Sequence, residues 1–368
     1  MTSKAPRILF AGGGTGGHIY PAIAIADAVR RQVPEAAIAF AGTEHKIEWR
    51  AVPKAGYAIH PITIQGFHRQ QMSRNLAFPF KLAKGLWQSW QLIGDFDPDV
   101  VVGTGGYVAG PVLYAAHLRK RPIVVQEQNA FPGVTNKLLG KYAHTVHLAF
   151  EEAKRFFPAD RCVLSGNPTR QILQHGERKA AMDYYEVPDD HRVLLMFGGS
   201  LGSAALNAAM EAGIQQLLQD EKLVVIWQTG SAYFEKLQAR VATHPRLRLL
   251  RYIDRMDLAY IAADLVLARA GAITCSELMV TGAPAVLVPS PNVAEDHQTK
   301  NARSMEDAGA ALLLPEENLK SNWIKTVTDL LEDAPRRNAM ATAAQALSRP
   351  DAADHIASSV LAISGSGR

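Results

Sequence analysis

The chain has 368 residues, of which 48% are hydrophobic and 20% are charged, and its formal net charge is +4. These values are typical of a folded globular protein of two domains and argue against a disordered chain. The first residues lack the apolar segment of a signal peptide, and no apolar run reaches the ~20 residues that span a bilayer. Cys162 and Cys275 have no C-x-x-C spacing, so we expect two reduced thiols in a cytoplasmic protein.

The first motif is a glycine-rich segment that ends at His18 and follows the strand-like residues 8–11. A helical pattern of apolar residues begins directly after it. Glycines allow close approach of the backbone, and the amide groups at a helix N-terminus attract an anion. The spacing G-x-G-x-x-G leaves an NAD-dependent oxidoreductase open, but Glu44 comes late for the acidic residue that such a protein needs after its second strand, residues 36–41.

Polar residues follow several strand-like runs of the first half. Strands at 58–64, 100–102 and 122–125 alternate with helical patterns, which predicts a parallel sheet. Because the carboxyl ends of parallel strands meet at one edge, we expect the polar side chains placed there to converge. These candidate site residues are Thr15, His18, Tyr107, Glu127 and Asn129.

Residues 72–93 are rich in aromatic side chains interleaved with cations. From Pro79 onward a helical spacing gives two apolar faces, one of which contains Leu82, Leu86 and Ile93 and can cover the sheet. The other face combines aromatic rings with lysine, as an interfacial membrane contact requires. Packing within the protein explains the same residues, and both interpretations stay open. The candidate membrane contacts are Phe78, Phe80, Lys84 and Trp87.

The segment Asp95 to Asp99 contains two D-x-D spacings, which are compatible with a metal site. Pro98 directly before the strand at 100–102 is more simply explained by a turn. We therefore expect no metal and no cofactor.

The second half repeats the arrangement of the first. A turn cluster at residues 166–170 marks the boundary, and a strand at 193–197, a glycine turn at 198–203 and a helix follow. Further strands are predicted at 223–227, 248–252, 265–268 and 285–289. The sequence thus predicts an α/β fold of two Rossmann-like domains facing across a cleft. The predicted domains are residues 1–166 and 167–343, with a C-terminal helix in 344–368 packing back on the first.

Two polar segments of the second half are candidate ligand contacts. Residues 269–271 form a turn before a helix that carries Glu277, whose carboxylate suits either a ribose diol or the helix N-terminus itself. Residues 295–301 form a polar patch after the strand at 285–289, and a helix is predicted to begin near Gln298.

Seven motifs, in order along nearly the whole chain, resemble those of the MurG family of peptidoglycan N-acetylglucosaminyltransferases. They are residues 12–18, 105–111, 127–129, 166–168 with Arg170, 198–200, 272–277 and 298–301. The resemblance implies a GT-B fold, UDP-GlcNAc as donor, and an undecaprenyl-diphosphate-linked muramoyl-pentapeptide (lipid I) as acceptor, which is converted to lipid II. It also implies a peripheral enzyme at the cytoplasmic, anionic face of the bacterial plasma membrane, without a nucleic-acid partner.

The resemblance also assigns roles to individual residues. In the second domain, Arg170 and Ser200 would contact the diphosphate, Ile253 the uracil, Glu277 the ribose and Gln298 the sugar. The remaining candidate substrate contacts there are Ala272, Ile273, Thr274, Cys275, Ser276 and Asn301. In the first domain, the donor sugar and the transfer point would face Thr15, Gly16, Gly17 and Asn129.

The chain departs from the family pattern at two positions. Leu201 replaces a glutamine in the second glycine turn, and Gln126 replaces a histidine, which removes an imidazole from the candidate acceptor site.

The expected reaction is an inverting displacement at the anomeric carbon, in which UDP leaves. His18 is the first candidate for the base that takes the acceptor's proton, and Glu127 is the second. His18 as a simple hydrogen-bonding residue, and a non-catalytic nucleotide-sugar or nucleic-acid binding module, remain alternatives. The turn at 198–203 is the better diphosphate site, which leaves the first glycine loop to the acceptor and the transferred sugar.

Overall fold

A computed structural model describes residues 5–66, 77–169, 173, 176–199 and 201–366. The chain forms two compact units, of which the first comprises Met1–Thr169 with Pro350–Arg368 and the second Arg170–Arg349. Each unit contains one sheet in which every pair of neighbouring strands is parallel. Two parallel-sheet α/β units are what the sequence predicts.

The sheet of the first unit has seven strands in the order β3-β2-β1-β4-β5-β6-β7. The strands are β1 Arg7–Gly12, β2 Ala37–Gly42, β3 Ala58–Pro61, β4 Val100–Gly105, β5 Ile123–Glu127, β6 Thr145–Leu148 and β7 Cys162–Leu164. The helices are α1 Gly16–Gln32, α2 Glu48–Lys54, α3 Phe78–Phe96, α4 Ala109–Leu118, α5 Val134–Gly140 and, from the C-terminus, α14 Ala352–Ser366, with short 3-10 helices at Glu151–Phe156 and Ala159–Arg161.

The sheet of the second unit has six strands in the order β10-β9-β8-β11-β12-β13. The strands are β8 Arg192–Phe197, β9 Leu223–Gln228, β10 Leu247–Leu250, β11 Leu265–Ala268, β12 Ala285–Leu287 and β13 Ala311–Leu313. The helices are α6 Arg178–Tyr184, α7 Ala204–Leu217, α8 Phe234–Gln238, α9 Met256–Ala262, α10 Ala272–Thr281, α11 His297–Asp307, α12 Leu319–Glu332 and α13 Ala334–Leu347, with 3-10 helices at Ala294–Asp296 and Glu316–Asn318.

The buried strands of the first unit have an apolar core on each face of the sheet. Side chains alternate along a strand, so Ile8 and Phe10 of β1 pack with α1 and α14, whereas Leu9 and Ala11 pack with α4. Phe10 stacks on Phe40 of β2 with ring centroids 5.1 Å apart. Because helices cover both faces of the sheet, the sequences of these strands are continuously apolar and do not alternate between apolar and polar residues.

Helix α3 has the two faces that its sequence predicts. Ile93 is buried and Leu82 packs against the core of the sheet. On the opposite face the side chain of Phe80 is 79% exposed and that of Trp87 is 58% exposed. Lys84 is exposed as well, whereas Phe78 is partly buried.

One expectation about local structure needs correction, and the turn expected at the D-x-D segment is confirmed. The C-terminal helix predicted within 344–368 begins only at Ala352 as α14, because α13 ends at Leu347 before Pro350, whose ring lacks the N–H that a continuing helix needs. The D-x-D segment is a turn: the Asp99 carboxylate accepts a hydrogen bond from the Arg7 amide at 2.8 Å, and Asp97 ends α3 and pairs with Arg121.

Candidate functional site

The strand order reverses once in each sheet, between β1 and β4 in the first unit and between β8 and β11 in the second. Ligands of open parallel sheets bind at the carboxyl ends of the strands at such points. Both glycine-rich turns of the sequence follow these strands. The two glycine turns therefore lie at the reversal points, and the candidates that follow β5, β10 and β12 lie after the carboxyl ends of other strands of the same sheets.

In the first unit, the loops after β1 and β4 pack directly on each other. Gly106 has φ +82°, and a Cβ added there would lie 2.2 Å from the carbonyl oxygen of Gly13. Only glycine fits this position, both for its backbone angle and for the available space. The neighbouring Tyr107 is 57% exposed, and its ring covers the backbone of Gly66.

Glu48 holds the first glycine loop and is a residue that sequence reasoning missed. Its carboxylate is fully buried and accepts hydrogen bonds from the amides of Gly14 at 2.9 Å and Thr43 at 3.1 Å. The earlier candidate, Glu44, is exposed. Glu48 lies only four residues after Glu44, but the sequence around it does not indicate its role. The residue that it contacts, Gly14, is 34 positions away in the sequence.

Helix α1 presents an open N-terminus at the reversal point. Thr15 is its N-cap, but the Thr15 side chain makes no capping hydrogen bond, and the first turn contains no acidic residue. Thr15 and Gly17 are exposed, and Gly16 is partly exposed. Amide groups and a helix dipole favour an anion or a partially negative oxygen at this end, although the buried Glu48 carboxylate already accepts from the nearby Gly14 amide.

His18 lies in the first turn of α1 beside the ends of β4 and β5. Its Nδ1 lies 3.0 Å from Oε1 of Gln128, and its backbone carbonyl accepts a hydrogen bond from the Thr104 hydroxyl at 2.8 Å. Burial lowers the pKa of His18 below its ordinary 6.5, although the Gln128 hydrogen bond opposes this effect. The imidazole is therefore neutral at neutral pH and able to accept a proton.

Glu127 is buried at the end of β5, and both of its oxygens are already engaged. They accept hydrogen bonds from the backbone and side chain of Asn129, from the Gly133 amide, and from Nδ2 of Asn136 at 2.8 Å. Burial raises the pKa of Glu127, and these hydrogen bonds oppose that rise. The carboxylate orders the loop after β5 and positions Asn129, which is half-buried.

Gln126 does not line an accessible acceptor site. Its side chain is fully buried, donates to Oδ1 of Asn167 at 2.9 Å and accepts from Nε2 of Gln128. In this chain the residue at position 126 is therefore part of the buried interior. Asn167, interpreted from sequence only as a turn residue, is part of the same buried network.

In the second unit, the glycine turn after β8 leads into α7. The hydroxyl of Ser203 caps this helix by accepting from the Leu206 amide. A Cβ added to Gly202, with φ +81°, would lie 2.0 Å from the Thr229 carbonyl oxygen, so the turn packs against the end of β9. Leu201 is 75% exposed. The predicted diphosphate contacts Arg170 and Ser200 lie outside the described residues.

Gln228 connects this turn to Ile253 and was not identified from sequence. Its Nε2 donates to the Gly199 carbonyl at 3.0 Å, and its Oε1 accepts from the Ile253 amide at 2.9 Å. The side chain of Ile253 is buried. A cavity of about 260 Å³ lies beside it, lined by residues that include Tyr185 and Tyr252.

Helix α10 begins at Ala272, the first residue of the motif 272–277. Some of the candidate residues on this helix are accessible and others are buried. Glu277 is partly exposed and accepts a hydrogen bond from the hydroxyl of Tyr260 at 2.9 Å. Cys275 is fully buried, which raises the pKa of its thiol to about 12, and Ser276 is also buried. The partly exposed residues of its first turn are Ala272, Ile273 and Thr274.

Arg269 is a cation at the end of β11 that sequence reasoning did not assign. It donates to the Ser203 hydroxyl at 2.7 Å and to the carbonyls of Val288 and Pro289, and it pairs with Glu316. It therefore holds together the segments that follow β8, β11 and β12.

The loop before α11 has an unusual backbone at Glu295 and Asp296, whose φ angles are +58° and +50°. Non-glycine residues seldom adopt this region, and each costs about 1 kcal/mol. Helix α11 begins at His297, one residue before the predicted start. The Gln298 side chain accepts from the Ser290 amide at 2.9 Å, whereas Asn301 is fully buried and donates to the Ala270 carbonyl.

Within the described part of the chain, no group of three or more His, Cys, Asp or Glu side chains is arranged to hold a metal ion.

Comparison with known proteins connects both units to one family. Residues 8–148 match the glycosyltransferase family 28 N-terminal domain, and residues 193–356 match its C-terminal domain. A protein from Salinibacter ruber, named UDP-N-acetylglucosamine--N-acetylmuramyl-(pentapeptide) pyrophosphoryl-undecaprenol N-acetylglucosamine transferase, is 57% identical, covering 99% of this chain and 98% of the relative. The chain belongs to the MurG family.

Other comparisons agree with this assignment. A Christiangramia forsetii protein of the same name is 42% identical, covering 96% of each chain. The crystal structure of Acinetobacter baumannii MurG superposes with a TM-score of 0.80 at 32% identity, covering 98% of this chain and all of that one. Membership of the MurG family, a family of glycosyltransferases, confirms the resemblance seen in the motifs and rules out the NAD-dependent oxidoreductase.

Proposed function

We propose that this chain transfers N-acetylglucosamine from UDP-GlcNAc to the muramoyl sugar of lipid I and so produces lipid II for peptidoglycan. The observation that carries the proposal is full-length similarity to relatives named for this reaction, at up to 57% identity among those reported above. The geometry at both reversal points agrees with it. The second unit holds the donor, and the first unit binds the acceptor and supplies the base.

The donor is held by groups that follow β8, β10 and β11. The amides of the glycine turn bind the diphosphate, for which the motifs also assign Arg170 and Ser200, and the uracil binds next to Ile253, which lines a cavity. Glu277 accepts hydrogen bonds from the ribose hydroxyls. Charge develops on the diphosphate as the glycosidic bond breaks, so donors fixed in advance lower the barrier there.

His18 removes the proton from the attacking hydroxyl. The acceptor oxygen forms a bond with the anomeric carbon, the bond from that carbon to the diphosphate oxygen breaks, and UDP leaves with the electron pair. The proton moves to Nε2 of His18, because Nδ1 faces Gln128. Glu127 is the weaker candidate for this role, since its oxygens already accept four hydrogen bonds.

The decisive experiment measures UDP release from UDP-GlcNAc in the presence of a soluble lipid I analogue. We expect release that depends on the acceptor and falls by about 100-fold or more in His18→Ala. Donor affinity should change little, because His18 acts on the acceptor's proton. Binding of UDP-GlcNAc without any acceptor-dependent release would instead identify a non-catalytic nucleotide-sugar binding module.

The same proposal places the chain at the membrane surface, as a peripheral protein of the cytoplasmic face. None of the described helices is both long and apolar enough to cross a bilayer. Adjacent helices α3, α4 and α5 instead expose apolar side chains, including Phe80, Trp87, Leu118 and Leu138. Lys84 is exposed on α3, and the guanidinium of Arg119 lies 4.1 Å from the Trp90 ring centroid. Aromatic, aliphatic and cationic groups together suit an anionic lipid interface.

Liposome co-sedimentation tests this surface. The double variant Phe80→Ser with Trp87→Ser should lose binding to vesicles that contain an anionic phospholipid, while its UDP release with a soluble acceptor persists. Val163→Ser, which removes an exposed apolar side chain from strand β7, is the matched control and should bind like the unaltered chain. Unchanged binding by the double variant would refute the membrane contact.

A further inference from the structure

A buried network of three side-chain amides ends at the imidazole of His18. The amides belong to Asn167, Gln126 and Gln128, and we call them the amide network. Gln126 and Asn167 are buried, and Gln128 is 1% exposed. Buried amides of this kind need every donor and acceptor matched, so their orientations depend on one another.

Backbone carbonyls fix the orientation of the amide network, because a carbonyl oxygen only accepts. The Gln128 side-chain atom that lies 2.7 Å from the Thr104 carbonyl and 3.1 Å from the Gln126 carbonyl must be its NH₂ group. The other atom, Oε1, then faces His18. This assignment does not depend on distinguishing oxygen from nitrogen in the side chain itself.

The far end of the amide network gives the same polarity independently. The Asn167 atom that lies 2.9 Å from the Gln128 carbonyl must also be an NH₂ group, so its Oδ1 faces Gln126. Gln126 consequently donates to Asn167 and presents its Oε1 to the NH₂ of Gln128. Two separate sets of backbone carbonyls thus require one orientation.

The orientation of the amide network determines the tautomer of His18. An acceptor at 3.0 Å from Nδ1 requires that Nδ1 carry the hydrogen, which leaves the lone pair on Nε2. The side-chain hydrogen bond that the structure gives the ring is therefore made at Nδ1. The absence of a side chain at Gly105 leaves room for the ring, because a Cβ added there would lie 3.0 Å from Nδ1.

We propose that Gln128, oriented by Gln126 and Asn167, is a positioning residue that keeps His18 in the Nδ1–H tautomer so that Nε2 takes the acceptor's proton. The inference rests on the proposed transferase function for its catalytic meaning. When the proton arrives at Nε2, the imidazolium still donates from Nδ1 to Gln128, as the neutral ring did, so no partner has to reorient. A neutral amide performs here the orienting role that a carboxylate has in Ser-His-Asp triads.

The tautomer is measured directly by NMR on the full chain labelled with ¹⁵N-histidine, through two-bond ¹H–¹⁵N couplings at about pH 8. His18→Gln identifies the His18 signals among those of twelve histidines. We expect the Nδ1–H form in the unaltered chain and a loss of that preference in Gln128→Met. The Nε2–H form in the unaltered chain would overturn the proposal, whether or not the chain releases UDP.

Kinetics provides the second readout. Gln128→Met should lower kcat by about 10-fold or more while KM for UDP-GlcNAc changes by less than about twofold. In the His18→Gln background the same substitution should have almost no further effect, because the group that it positions is gone. Equal losses in both backgrounds would show a purely structural role and overturn the proposal.

Gln32→Met is the matched control, because it makes the same change at the other end of α1. The Gln32 amide donates to the Asp354 carbonyl and accepts from Ser358, so its loss tests the cost of removing a hydrogen-bonded amide. It should leave the His18 tautomer and kcat unchanged. Failure of the unaltered chain to release UDP would refute the transferase, and the NMR result would then still decide the tautomer by itself.

Discussion

Acidification should destabilise the first unit through His147, which lies on β6. Its ring is 2% exposed, with Nδ1 at 2.7 Å from the Ser165 hydroxyl and Nε2 at 3.1 Å from the Ser359 hydroxyl of α14. Burial lowers the pKa of His147 from 6.5 to about 4. The unfolded chain therefore binds this proton more readily than the folded one between these two values.

The magnitude follows from proton linkage. The contribution of His147 is fully present above its unfolded pKa and is lost as the pH falls from about 6.5 towards 4. Between about pH 7.5 and pH 5 these two pKa values correspond to a loss of about 2 kcal/mol in the free energy of unfolding. This is a large fraction of the stability of an ordinary domain.

Urea unfolding followed by circular dichroism at both pH values measures the loss. Because other groups also titrate, the informative quantity is the difference between the unaltered chain and His147→Gln, which should be less sensitive to acid by about 2 kcal/mol. His355→Gln, at an exposed histidine of α14, is the control and should keep the full sensitivity. Equal acid sensitivity in the unaltered chain and His147→Gln would refute the reasoning.

Three further predictions concern the site. Gly106→Ala places a methyl group 2.2 Å from a backbone oxygen, so we expect a lower Tm and UDP release slowed by about 10-fold or more; unchanged values of both would contradict the packing of the two loops. Glu277→Gln should raise KM for UDP-GlcNAc by about 10-fold with little change in kcat, and a normal KM would remove the ribose contact. The lowered pKa of His18 predicts that kcat/KM rises with pH through a midpoint below 6.5, and a midpoint above 6.5 would exclude His18 as the base.

The sheets were predictable because their strands are continuous apolar runs that end in glycine or polar residues. The run at 265–268 coincides with β11, and the run at 193–197 lies within β8. Strand β10 ends at Leu250 instead of the predicted Tyr252, because the chain there turns so that the Ile253 amide reaches Gln228. A hydrogen bond between residues that are distant in sequence leaves no pattern in the local sequence, so the end of this strand could not be predicted.

Site residues could be predicted where a local sequence pattern places them, and could not be predicted where their role depends on contacts with residues distant in sequence. Tyr107, His18 and Asn129 follow strands, so the topology of a parallel sheet was sufficient to place them near one edge. Glu48, Gln228 and Arg269 act on backbone groups that are remote in sequence, and nothing near them indicates this. The burial of Gln126 was likewise invisible, since a glutamine at the end of a strand is expected to be accessible.

The position of α14 has a consequence for the synthesis of the protein. Ile356 and Val360 fill the same core as Ile8 and Phe10, although more than 300 residues separate them. The second unit, which is continuous in sequence, is an insertion within the first. On the ribosome it can complete its core first, whereas the earlier-made sheet keeps one apolar face uncovered until α14 emerges. Loss of a short C-terminal segment should therefore impair the half of the molecule that is made first.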